Sequence, residues 1–132
     1  MALQLLAANN AQSVLAAGIS TSATSLTLNT GTGAIFPSPV SGTSFFKLTL
    51  IDAATGQISE IVHVTAKSGD VLAIVRGQEG TSARAWSAND IAANMMTAGT
   101  LSYILDNYAT IASLGTAAAK NVGTGPGQIP DI

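Results

Sequence analysis

The chain has 132 residues, a formal net charge of -2, 9% charged residues and no cysteine. Its five basic residues (Lys47, Lys67, Arg76, Arg84 and Lys120) are scattered, which argues against a nucleic-acid surface. The lack of cysteine excludes disulfides, thiolate metal sites and cysteine nucleophiles.

Hydrophobic residues make up 47% of the chain, but aromatics only 5%. A surface so poor in charge suits a subunit covered by copies or partners better than a lone monomer. The N-terminus lacks the basic start of a signal peptide. No run approaches the roughly 18 apolar residues of a membrane-spanning helix, so no membrane insertion is expected.

Leu3 to Ala8 is a short apolar run, punctuated by Asn9-Asn10. Ser13 to Ile19 is a second one, with Gly18 near its end. Both are short enough to be helix or strand. Ser25 to Asn29 alternates, with Leu26 and Leu28 on one face, and predicts a half-buried strand. Thr30 to Pro39 reads as a loop, since Pro37 and Pro39 cannot donate to a sheet ladder.

Phe45 to Asp52 is the clearest strand. Phe46, Leu48 and Leu50 point one way; Phe45, Lys47, Thr49 and Ile51 point the other. A turn over Asp52 to Gly56 leads to a strand at Ile58 to Ala66. Ser68-Gly69 then reverses the chain into Val71 to Arg76 as a hairpin. Pairing Lys67 with Asp70 would put Glu60, Val62, Val64, Ala73 and Val75 on one face. Ile61, His63, Thr65, Leu72 and Ile74 would share the other. Both faces are then apolar, which implies barrel-like closure or cover by another subunit.

Residues 77 to 90 read as loop and hold the only tryptophan, Trp86. Arg76, Glu79 and Arg84 could pair there as a surface ion pair of little worth. Ile91 to Met96 predicts a last strand, with a short helix capped by Ser87 and Asp90 as the competing reading. Thr97 or Thr100 can cap a helix carrying Leu101, Ile104, Leu105 and Tyr108 at helical spacing. That helix can run on through Ala109 to Leu114 before Gly115 stops it.

Gly115 to Ile132 (GTAAAKNVGTGPGQIPDI) has too little apolar surface for a core of its own. It reads as an extended connector, biased by Pro126 and Pro130, with Val122, Ile129 and Ile132 as anchors on another chain. The expected architecture is therefore mainly β: a small antiparallel β-barrel or sandwich over residues 1–97, a helix over 98–114, and an extended linker over 115–132. The expected oligomer contacts are Leu101, Ile104, Leu105, Tyr108, Val122 and Ile129.

Chemistry is sparse. The single histidine, His63, lies between Val62 and Val64 in a predicted strand, where a packed ring is far commoner than a catalytic one. With Glu60 it lacks the further nitrogen or sulfur ligands of a zinc site. The glycine clusters at 31–36 and 123–128 lack the GxxxxGK[ST] phosphate-loop pattern. Glycosidase-like carboxylate pairs usually come with aromatic-lined clefts, and this chain has six aromatic residues in all. Neither enzymatic activity nor a cofactor is expected.

Three segments carry a resemblance: EIVHVTAKSGD at 60–70, VRGQEGTSARAW at 75–86 and VGTGPGQIPD at 122–131. With the opening from Ala8 to Pro37, they resemble the N-terminal, tail-attachment domain of tailed-bacteriophage tail fibre and tailspike proteins. The resemblance covers nearly the whole chain. It implies a mostly β, homotrimeric anchor that joins a fibre to the phage tail or baseplate, in a virion protein made in the bacterial cytoplasm. Receptor binding and any depolymerase activity would lie in later domains, and members usually continue past the linker, whereas this sequence stops at Ile132. The implied partners are copies of itself, baseplate proteins and a distal fibre protein or domain. Two other readings stay open: a short receptor-binding fibre tip, with Trp86, Tyr103 and Tyr108 as candidate sugar-stacking rings, and a capsid decoration protein.

Overall fold

The computed structural model describes residues 3–109. Seven strands occur in chain order: β1 Gln4–Leu6, β2 Gln12–Val14, β3 Ser25–Thr27, β4 Ser44–Ile51, β5 Ile58–Ser68, β6 Val71–Gln78 and β7 Ile91–Ala93. A short helix, α1 (Ala98–Ile104), and a π-helical turn at Leu105–Ala109 follow. The fold is mainly β, as expected. Neither N-terminal apolar run is helical: the first holds β1, the second starts in β2 and then makes isolated bridges at Leu15 and Ile19, and the 30–39 loop holds one 3-10 turn, Thr32–Ile35. The chain divides between Met95 and Met96 into two compact units.

In the first unit the sheet order is β2-β7-β4-β5-β6-β3. The sheet curls into a half-barrel whose end strands are tied beyond β2 and β3 by the Leu15–Leu28 bridge. Ala16 N donates to Thr27 O and Asn29 N to Val14 O, both at 2.9 Å. One edge of β4 is shared: β1 runs parallel to its first half, and β7 antiparallel to its second. Asn94 fills the gap between them. Its amide donates to Lys47 O at 2.7 Å and accepts from Ala8 N at 2.8 Å, replacing a missing ladder rung with side-chain bonds.

The concave face holds the core. Phe46, Leu48 and Leu50 of β4 meet Val62 and Val64 of β5, Leu72 and Ile74 of β6, and Leu15, Leu26, Leu28, Phe36 and Trp86. The predicted alternation in β3 holds: Leu26 is buried between exposed Ser25 and Thr27.

The β5–β6 register differs from the expected one. The turn is Gly69-Asp70, so Ser68 pairs with Val71 and Lys67 with Leu72 rather than with Asp70. Gly69 takes φ 61°, which opens a two-residue turn at little cost to glycine. Register shifts between Val64 and Ala66 and between Ile61 and His63 then re-aim the strands. Val64 therefore opposes Ile74 in the core, and His63 opposes Val75 outside it. Val71 and Val75 are 43% and 47% exposed. The hairpin thus has one continuous apolar face and one mixed face, not two equivalent ones.

Residues 87–90 form a turn, not a helix. Ser87 N donates to Asp90 Oδ2 at 2.8 Å, and Asp90 Oδ1 accepts from Ala53 N at 3.0 Å. The carboxylate is committed to two backbone groups, and β7 starts at the next residue.

Candidate functional site

Three places collect chemistry. The first closes the core at one end. Glu60 continues the inward row of Val64 and Val62 on β5, and Arg76 continues that of Leu72 and Ile74 on β6. Glu60 is fully buried. It accepts from Arg76 Nε at 2.7 Å and Nη2 at 2.9 Å, and from Trp86 Nε1 at 2.9 Å. Gly77 N (3.1 Å) and Arg84 N (3.2 Å) also donate to it. Arg76 uses its remaining donors on Ser20 O, Ala23 O and Arg84 O. Burial by itself raises the Glu60 pKa, but the bonds from Arg76, Trp86, Gly77 and Arg84 outweigh it and hold the pKa below its usual value. Every donor of the guanidinium is engaged, and the carboxylate is crowded by five. Such a pair anchors the loops at 20–23 and 77–86 to the barrel; it has no open lone pair for a substrate proton.

The expected surface pairing among Arg76, Glu79 and Arg84 is therefore corrected. Arg76 pairs with buried Glu60, and Glu79 with Lys47. Arg84 lies 3.7 Å from Asp52 and stacks 4.0 Å above the Trp86 ring. Long-range strand pairing decides these partners, which proximity in sequence does not.

The second place is on the convex face of β4 and β5. Lys47 is only 5% exposed. Its Nζ lies 2.8 Å from His63 Nε2 and 3.1 Å from Glu79 Oε2. An ammonium can only donate, so His63 Nε2 accepts and the neutral ring carries its proton on Nδ1. The Phe45 ring lies against His63 with centroids 4.7 Å apart. Glu79 holds a positive φ of 56°, between Gly77 and Gly80, which also have positive φ. Glu60 and His63 lie on opposite faces of β5. Among the described residues no group of three or more His, Asp or Glu could hold a metal.

Burial first, and the Lys47 charge second, bring the His63 pKa down from 6.5 to about 4, against an opposing pull from Glu79. Between these values the unfolded chain binds the proton and the folded chain does not. Stability should therefore be complete above about pH 6.5 and fall as the pH drops towards 4. With allowance for solvent screening the loss is roughly 1–3 kcal/mol. Urea melts from pH 7 to 4 should show this slope, and His63→Gln should flatten it. An equal slope in the variant would assign the acid sensitivity to the carboxylates instead.

The third place is the second unit. Thr97 caps α1: its side chain accepts from Thr100 N, and Thr100 Oγ1 accepts from Thr97 N, both at 3.1 Å. Both threonines proposed as caps thus act together. Leu101 is 53% exposed, Ile104 38%, Leu105 52% and the preceding Met96 77%. No residue of α1 is buried. Leu101, Ile104 and Leu105 sit at the expected helical spacing, and Tyr108 falls in the π-helical turn. Val122 and Ile129, like the rest of the expected linker and the helix beyond Ala109, lie outside the described residues. Sequence reasoning missed Met96 and the Glu60–Arg76 pair; the inward rows on β5 and β6, once correctly registered, would have exposed the pair.

Trp86 is only 3% exposed, its indole N–H bound to Glu60. Among the described residues no helix is long and apolar enough to cross a membrane. No protein-family model matches the chain, and no curated protein matches it.

Proposed function

We propose that the protein is a structural attachment subunit of a bacteriophage tail fibre, a homotrimer whose β unit anchors the fibre and whose helix joins the copies. One observation carries the self-association: Leu101 and Ile104 of α1 and Leu105 of the turn that continues it leave about half of their apolar side chains exposed, and no residue of α1 is buried. Helices in proteins owe their stability to packing of an apolar face. Packing against another chain meets that requirement. Covering the exposed halves of Leu101, Ile104 and Leu105 contributes about 1 kcal/mol each.

The attachment role is supported by the resemblance of the sequence, and by ionic groups that are tied to each other rather than arrayed around an open cleft. Burial of Trp86 removes the ring a sugar-binding tip would most need, which favours attachment over the tip reading. The threefold number comes from the resemblance alone.

Light scattering on purified protein should give the mass of three chains, and Leu101→Ser with Leu105→Ser should lower it towards one. A stable monomer of the unmodified chain at micromolar concentration would sink the self-association. Immunogold labelling of virions should mark the tail; label on the capsid shell would overturn the tail assignment.

A further inference from the structure

We draw no further inference here: the strongest candidate, the shallow groove on the convex face of β3, β5 and β6 lined by Ser25, Ala66, Val71 and Ala73, carries nothing, because nothing in the structure shows what covers it.

Discussion

Glu60→Ala is expected to be the most damaging single substitution in the β unit. Glu60 is fully buried, and the Arg76 side chain is 10% exposed. Removing the carboxylate leaves a guanidinium charge without its partner inside the end of the barrel. It also leaves the Trp86 indole N–H and the Gly77 and Arg84 amides without an acceptor. Breaking one side of a buried pair typically costs about 3–5 kcal/mol. For a domain of this size that lowers the melting temperature by on the order of 20 °C.

The double variant Glu60→Met with Arg76→Leu separates charge from packing. It removes both ions, so it should be less destabilised than Glu60→Ala, although the backbone groups Arg76 now binds lose their donor. A double variant worse than the single one would mean that the Arg76 bonds to Ser20, Ala23 and Arg84, rather than charge burial, dominate. The pair also carries a pH signature. Because the folded-state pKa of Glu60 is lowered, its stabilisation is complete above the usual carboxylate range. It is lost as the pH falls through the lowered value. That loss lies on the acid side of the His63 transition, so a wild-type acid melt should show two successive losses.

Gly33→Ala is the second large effect. A Cβ on Gly33 would lie 2.1 Å from Gly69 O and 2.9 Å from both Cα and Oδ1 of Asp70. The obstacle is backbone at the tip of the β5–β6 hairpin, so no rotamer change relieves it. Moving that tip disturbs the Asp70 carboxylate, which accepts from Gly31 N at 3.0 Å and Gly33 N at 2.8 Å. It also disturbs the Lys67 bond to Gly33 O. The expected cost is about 3 kcal/mol, at the upper end for an overpacked site. Gly31→Ala is the control. Gly31 has φ 82° but nothing within 4 Å of an added Cβ, so only backbone strain of about 1–2 kcal/mol applies. Denaturant melts should rank Gly33→Ala well below Gly31→Ala. Equal losses would mean that the hairpin tip yields and that the close approach at Gly33 is not a constraint.

These effects show where local reading ends. Alternation in Ser25 to Asn29 and Phe45 to Asp52 located two strands, because a strand with one face on a core repeats every two residues whatever its partner. Thr97 and Thr100, followed by Leu101, Ile104 and Leu105, located the helix start and its apolar stripe, because capping and helical spacing are also local. The mainly β class followed from these patterns and the turn residues between them.

Other features needed the tertiary structure. Lys47 alternates as an outward, solvated residue, yet His63 and Glu79 close over it from another strand and a distant loop. Nothing within a few positions of Lys47 encodes that. The hairpin register depended on which pair of residues made the turn and on two register shifts. A slip of one residue moves every side chain to the other face. Local pattern gave no relation between Glu60 and Arg76 until the corrected register placed both at the end of the inward rows. The bridge of Leu15 to Leu28 likewise ties a run with clear strand alternation to one whose local pattern left helix and strand equally open. Sequence alone determined what is periodic and local: the strands of clear alternation, the capped helix and its stripe. Tertiary structure decided register, closure and charge pairing, because each depends on contacts between residues far apart in the chain, whose free energy no local pattern contains.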